Sequence, residues 1–444
     1  MRSFRSLIIL FVVFAGIIGY LYFVDAKKPV EQEDQKAKLF AGVDADAIDS
    51  LRISTIAGGV ATLQKGADGW KITAPSEAKA DESEVSSVTG SLASLTLDHV
   101  VDENPASLGD YGLKEPVVEI GFKTRKDKAE HTLQVGTKTA TGNDLYAKLA
   151  NEKKVFLIPG YLEQTFTRQP FDLRDKRILV FDRDKADRVE VTSGDSTVTL
   201  VKSAGDWRLA APVDARGDFA GVEGLVTRLQ SVQMKSIVSE HAADLTQYGL
   251  DKPTTLATVG LGSARAGLAI GGKTDKGDLY VRDVTRDMVV TVAPDLLTDL
   301  QKSATDLRRK DVFDFRPYNL TRIELTRGAD TIAIERLAGK GKDGTDLWQN
   351  ATTRKALDGP KVEAFLTRLS GLRASSFADP KARTGLDQPV LAVKASFEDG
   401  KKTESARFGR LAPDVFSGRP DEPGAMKLDA AEFDGVIKDL DAFK

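Results

Sequence analysis

Three stretches of the chain place apolar residues at one and the same spacing. Val85, Val88, Leu92 and Leu95 form the first, Val222, Leu225, Leu229 and Val232 the second, and Val362, Phe365, Leu369 and Leu372 the third. Steps of three, four and three line one face of a helix. Four positions before each stretch stands an aspartate, Asp81, Asp218 or Asp358. A carboxylate there accepts from the free N–H groups of a first turn, so all three are expected as helix caps. Pro360, just inside the third start, fits that reading. Ahead of each helix the period drops to two. In the middle stretch the strand-like runs are "DRVEV" (Asp187 to Val191), "TVTLV" (Thr197 to Val201) and "DWRLA" (Asp206 to Ala210), parted by "SGD" and "SAG" turns. Alternation resumes after the helices in "VVEIGFK", "HTLQVG" and "LAVKASF". A last helical segment is expected to close each unit.

The pattern therefore repeats three times. Each copy carries one of the chain's three tryptophans, Trp70, Trp207 and Trp348. A phrase of the form YGLxxP follows each main helix: Tyr111, Gly112, Leu113 and Pro116, then Tyr248, Gly249, Leu250 and Pro253, then Gly385, Leu386 and Pro389 with Thr384 in place of Tyr. Glycine supplies the positive φ of a chain reversal, the Leu can bury, and Pro pre-sets an extended entry to a strand. Turn chemistry accounts for the phrase, and Tyr in a binding groove is the rival reading. The tryptophans are expected in the core, with a sugar- or lipid-stacking role as the rival. "DLRDK" (Asp172 to Lys176) and "DLRRK" (Asp306 to Lys310) mark the junctions, expected as inter-unit salt bridges or solvated surface. Short turns between strands argue for antiparallel sheets with helices on one face. The expected fold class is α+β: an N-terminal transmembrane helix, then three tandem repeats of antiparallel strands packed with one main helix plus a closing helix. The boundaries are a tail at 1–5, an anchor at 6–24, a linker at 25–38, and repeat units at 39–170, 171–305 and 306–444.

The anchor rests on "SLIILFVVFAGIIGYLYFV", Ser6 to Val24, which holds no charge. Nineteen residues reach about 28 Å as a helix, enough for a bilayer's hydrocarbon core. Arg2 and Arg5 precede it and orient the tail to the cytoplasm. The rival is a cleaved signal peptide ending near "VDA" (Val24 to Ala26), but the apolar run is long for one.

Lys plus Arg is 63 against 66 Asp plus Glu, a near-balance that removes the electrostatic case for a nucleic-acid partner. With no cysteine, thiolate catalysis, disulfides and Cys-based zinc sites are excluded. His99, His131 and His241 stand far apart, so a His-based metal cluster or a Ser-His-Asp arrangement is poorly supplied. The loops "VGTKTATG" (Val135 to Gly142) and "IGGKTDKG" (Ile270 to Gly277) lack P-loop spacing and are expected as hairpin turns. No carboxylate pair stands out as an acid–base dyad, and no cofactor, metal-ligand set or catalytic residue is nominated.

The YGLxxP phrase, the Trp after a Gly/Asp turn and the Leu-Arg-x-Lys junctions together resemble a family known as domain of unknown function 4340. The likeness runs over the chain beyond the anchor. It is looser in the third copy, which loses the Tyr and has an irregular "FGRLAPDVFSGRPDEPG". The resemblance implies a bacterial protein held in the inner membrane by a single N-terminal helix, with its body in the periplasm, often encoded beside ABC-type exporters of the gliding-motility class. It supplies no catalytic residues. The leading expectation is a non-enzymatic, membrane-anchored periplasmic scaffold or accessory protein that partners an ABC-type exporter or envelope assembly. The alternative is a periplasmic glycan- or lipid-binding, even hydrolytic, protein with a site between repeat units.

Overall fold

The computed structural model describes residues 38–443 apart from 98, 342, 343, 345 and 380. The tail, the transmembrane anchor and residues 25–37 of the linker lie outside the described residues. Among the described residues no helix is long and apolar enough to cross a membrane. The chain divides into two compact units, Met1–Lys176 and Arg177–Lys444. One sheet belongs to the first and two to the second.

The first sheet has nine strands: β1 (Ile48–Thr55), β2 (Val60–Gly66), β3 (Gly69–Ala74), β4 (Ala78–Lys79), β5 (His99–Asp102), β6 (Val118–Thr124), β7 (His131–Lys138), β8 (Asp144–Leu149) and β9 (Val155–Pro159). Their order is β4-β3-β2-β1-β6-β7-β8-β9-β5, with every pairing antiparallel. The chain meanders to one edge, and helix α1 (Glu82–Ser94) carries it to the opposite edge at β5. A second meander then fills the sheet, and α2 (Leu162–Phe166) closes the unit. The same nine-strand order recurs over residues 188–292 and 320–428. The equivalent helices are α3 (Phe219–Ser231), α4 (Asp295–Leu300) and α5 (Ala304–Leu307) in the second repeat, and α6 (Gly359–Ser370) and α7 (Ala430–Asp441) in the third.

The architecture is mostly β, which corrects the α+β expectation. One helix of 13 residues and one of 5 serve nine strands in the first repeat. Helical periodicity is a strong sequence signal, whereas edge strands of two and four residues are too short to show a period. Each main helix buries one stripe on its sheet: Val85, Val88 and Leu92 in α1, Val222, Leu225 and Leu229 in α3, and Val362, Phe365 and Leu369 in α6.

The junction segments do more than link. In the first unit the Asp81 N–H donates to Leu173 O at 2.8 Å and the Asp175 N–H to Lys79 O at 2.9 Å, so "DLRDK" zips onto the outer edge of β4. In the second unit the Asp218 N–H donates to Leu307 O at 2.8 Å and the Arg309 N–H to Arg216 O at 2.8 Å. The same strap then turns to the third sheet, where the Val312 N–H donates to Leu372 O and the Ala374 N–H to Lys310 O. "DLRRK" is thus hydrogen-bonded on one side to the second sheet and on the other to the third. Leu173, Leu307 and Arg308 are buried, which corrects the solvated-surface alternative, while the salt-bridge alternative holds at "DLRRK", where Arg308 pairs with Glu422 and Arg309 with Asp314. Edge strands need covering, and the strap supplies the cover.

Candidate functional site: the charged junction of the second and third repeats

The strap delivers Arg308 into the second unit's interior, and strand Ala215–Arg216 delivers Arg216 beside it. From the third repeat comes the irregular segment after strand Asp414–Gly418, carrying Arg419, Asp421 and Glu422. Glu404 arrives on strand Lys402–Leu411, on the same buried face as Ala406 and Phe408. Arg216, Arg308, Glu404, Arg419 and Glu422 are all buried, each less than 10 % exposed.

Every one of these charges is met. Glu422 accepts from Arg216 Nε and, at 3.1 Å, from Arg308 Nη2. Arg216 also donates to Asp314 Oδ1 at 2.9 Å and to Asp311 O at 2.8 Å. Arg419 donates to Glu404 Oε2 at 2.7 Å and Val312 O at 2.8 Å, and holds Asp421 through two bonds of 3.1 Å. Glu404 accepts in addition from the backbone N–H groups of Asp314 and Phe315, capping the chain just beyond the strap. The Arg308 guanidinium lies 4.1 Å from the Phe377 ring centroid. At the rim, Arg309 pairs with Asp314 at 2.8 Å and Arg373 with Asp311 at 3.3 Å. Five arginines, 216, 308, 309, 373 and 419, therefore balance five carboxylates, 311, 314, 404, 421 and 422.

Burial alone would lower the Arg419 guanidinium, but its bonds to Asp421 and Glu404 outweigh that and hold it above its ordinary value. Burial would likewise raise the Asp421 carboxyl, yet Arg419 keeps it below the ordinary carboxylate range. Removing one partner from such a group strands a buried charge, at a cost of about 3–5 kcal/mol. Chemically the arrangement clamps: its carboxylates are saturated by guanidinium and amide donors. Among the described residues no group of three or more His, Asp or Glu is placed to hold a metal.

Apart from Arg308 and Arg309 of "DLRRK", the residues singled out in the sequence fall elsewhere, inside the individual repeats. Trp70, Trp207 and Trp348 are 1–2 % exposed, each under a cation: Lys65 at 5.9 Å, Lys202 at 5.3 Å and Arg336 at 5.1 Å. Asp81 caps α1, accepting from the Ser83 and Glu84 N–H groups; Asp218 accepts from Gly221 and Asp358 from Lys361. Gly112, Gly249 and Gly385 have φ of +63°, +66° and +69°. Pro116, Pro253 and Pro389 stand two residues ahead of their strands, at Val118, Thr255 and Leu391. Leu113 and Leu250 are buried, whereas Leu386 is only half-buried. Tyr111 meets Tyr146, and Tyr248 meets Tyr280, each at 5.1 Å between ring centroids. In the second repeat the phrase seals a small apolar cluster of Leu250, Ala269 and Val289 with Leu245 and Tyr248. Lys381 and Thr384 stand at those last two positions in the third repeat, where a cleft of about 750 Å³ opens beside Gly385, Arg383 and Arg410.

Two features were missed in the sequence. A second glycine faces each phrase from the neighbouring strand: Gly136, Gly271 and Gly409 pack on the carbonyls of Tyr111, Tyr248 and Thr384 too closely for a Cβ. Its recurrence in "QVGTK", "AIGGK" and "RFGRL" was the available signal. Of the buried network the sequence offered the "DLRRK" arginines, expected as inter-unit salt bridges, but Arg216, Glu404, Arg419 and Glu422 were missed; the local signal for Glu404 was an acid in the apolar phase of a strand.

Against known proteins, the family model described as Domain of unknown function (DUF4340) matches residues 70–206 and 207–389. No curated protein and no solved structure matches the chain. Both family spans open on a tryptophan in the third strand of a sheet, so each begins inside one nine-stranded sheet and ends inside the next.

Proposed function

This chain belongs to the DUF4340 family, and from that premise we propose that it is a non-enzymatic scaffold or accessory protein of the bacterial envelope. The apolar run of residues 6–24 would hold it in the inner membrane, with residues 39–444 in the periplasm and an ABC-type exporter or comparable assembly as partner. The observation that carries the reading is the use made of the repeated residues. The tryptophans are buried in the core of each sheet, and the caps, phrase glycines and prolines set the helix starts and chain reversals around it, three times over. A buried cluster of charges clamps the second repeat to the third. A chain that invests its distinctive residues in folding units and their joint is suited to holding other proteins in place.

The test is crosslinking in intact cells, recovery through a C-terminal tag, and mass spectrometry against a control bearing only residues 1–38. Recovery of an exporter's membrane subunits with the full chain and not with the control supports the reading. Recovery of the protein alone sinks it. The glycan- or lipid-binding alternative has one observation in its favour, the cleft of about 750 Å³ at the altered phrase of the third repeat. That cleft lies within a repeat, and the buried tryptophans are not available to stack on a sugar.

A further inference from the structure

In two repeats a strap closes the sheet edge by the same pair of bonds. The Asp81 N–H donates to Leu173 O and the Asp175 N–H to Lys79 O in the first; the Asp218 N–H donates to Leu307 O and the Arg309 N–H to Arg216 O in the second. Each pair makes one antiparallel bridge, Ala80 opposite Arg174 and Gly217 opposite Arg308. The covered edge is out of solvent: Ala80 is buried in the first sheet, and Ala215, Arg216 and Gly217 in the second. The strap's leucine, Leu173 or Leu307, is buried with it. Leu307 Cδ2 lies 3.6 Å from a Cβ built on Gly221, so that leucine seats over the first turn of α3.

The third sheet presents the same edge bare. Strand Ala356–Leu357 pairs with strand Asp346–Asn350, Leu357 opposite Trp348 and Ala356 opposite Gln349. Asp358 then caps α6, as Asp81 and Asp218 cap their helices. Ala356 O and the Asp358 N–H therefore hold the places of the two groups that the straps bond in the other repeats. Among the described residues no strap bonds either of them, and no bridge forms at Leu357 on its outer side. Ala356 and Asp358 are exposed and Leu357 is half-buried. Phe443, which meets Phe365 edge-on at 5.5 Å, is half-buried as well, and both it and Leu357 pack on the outside of the third core.

We propose that the edge Ala356–Asp358 is a docking site for an extended, leucine-bearing segment of a partner protein, which adds to the third sheet as the chain's own straps add to the first and second. This deepens the scaffold reading and rests on it for the existence of a partner. The straps specify the occupant. It runs antiparallel to strand Ala356–Leu357. Its leucine carbonyl accepts from the Asp358 N–H, and the N–H two residues on donates to Ala356 O. The residue between them lies opposite Leu357. Strand addition of this kind takes its affinity from main-chain bonds and its selectivity from the side chain that is seated.

A second copy of the chain is the poorer occupant, because both of its straps are already bonded to its own sheets. Nor does the shortness of the edge explain its bareness. Short edge strands are one way of avoiding unwanted pairing, yet Ala78–Lys79 and Ala215–Arg216 are equally short and are covered. The chain thus contains two filled examples of the site, and they give the register, the direction and the anchoring side chain.

The test is fluorescence anisotropy of a labelled peptide with the sequence of residues 303–312, "SATDLRRKDV", titrated with the full chain in detergent micelles. Saturable binding is expected, weakened at least about tenfold when the peptide carries Leu307→Asp. Asp358→Pro in the full chain removes the edge N–H, and the φ of −67° there suits proline; it is expected to abolish binding. Asp358→Ala drops the cap and keeps the N–H, so it should bind as the parent does. No saturable binding, equal binding of the Leu307→Asp peptide, or binding that survives Asp358→Pro overturns the docking site. The peptide comparison needs no variant of the chain, so it decides even if Asp358→Pro fails to fold. Self-association of the parent that Asp358→Pro abolishes would give the edge to a second copy and overturn the partner assignment. No exporter is present in this assay, so its failure leaves the scaffold reading standing, whereas peptide binding with no partner recovered from cells sinks that reading alone.

Discussion

Two glycines of the second repeat provide a test in which one substitution has opposite effects. Gly271 lies on strand Ala264–Lys273 against the phrase of Tyr248 to Pro253. A Cβ there would stand 3.0 Å from both Gly249 C and Leu250 Cγ, and closer still to Tyr248 O. Two of those three neighbours are backbone, so they cannot swing aside. Either the strand or the phrase must shift, and Leu250 would then lose its seat against Ala269 and Val289. Overpacking of this kind costs about 1–3 kcal/mol. The unfolded chain's loss of freedom returns only about 0.4–1 kcal/mol, so Gly271→Ala should destabilise by about 1–2 kcal/mol net. Gly224, in the middle of α3, has open space around the same hypothetical Cβ. Gly224→Ala should stabilise by about 0.5–1 kcal/mol, the ordinary helix-interior difference. A chain of several sheets need not melt in two states, so the readout should be local. Hydrogen exchange by mass spectrometry on peptides spanning Thr255–Leu261 and Ala264–Lys273 reports the second sheet directly. At about 1.4 kcal/mol per decade, Gly271→Ala should speed their exchange several-fold to about thirtyfold, and Gly224→Ala should slow exchange in α3. If Gly271→Ala leaves exchange unchanged, the phrase is not held by that close approach and its glycine pair needs another explanation.

Further expectations follow from the same contacts. Glu223 accepts from Trp207 Nε1 at 2.8 Å and Lys202 Nζ at 2.9 Å. Burial would raise its carboxyl, but those two bonds outweigh burial and hold it low. Its contribution is therefore present above the ordinary carboxylate range and lost as pH falls through the lowered value. Glu223→Gln should cost about 0.5–1.5 kcal/mol at pH 7, with a gap to the parent that closes on acidification; thermal melts followed by tryptophan emission would show a constant gap if the reasoning is wrong. A fragment of residues 38–176 should fold and elute as a compact monomer, because it contains a whole sheet and the strap on its edge. The family span 70–206 should not, since it omits Leu51, Ile53 and Leu63 of the first core and ends within the second sheet; cooperative melting of both fragments would refute the assignment of the folding unit.

How much of this was legible turns on distance along the chain. The caps, the helical stripes and the phrase glycines could be read because each is settled within about a dozen residues and then written again, once or twice more, at a matching offset. Strand order could not. The helix α1 takes the chain from β4 at one edge to β5 at the other, and β5 pairs with β9, more than fifty residues on. β5 itself, His99–Asp102, alternates only between exposed and half-buried positions, so no apolar period announces it. Counting visible helices against invisible edge strands is what made the fold look α+β. The junction was harder still. Arg216 and Glu422 are 206 positions apart, and the strap that brings Arg308 to them has nearly the same letters as "DLRDK". What separates the third repeat is the segment that looked degraded. The altered "FGRLAPDVFSGRPDEPG" still forms strand up to Leu411 and again over Asp414–Gly418, and the segment that follows supplies Arg419, Asp421 and Glu422 to the joint. Within a tandem protein, then, departure from the repeat is where contacts between repeats are to be sought. A residue inside a copy answers to its own sheet, while one that faces the next copy answers to a different partner in each position.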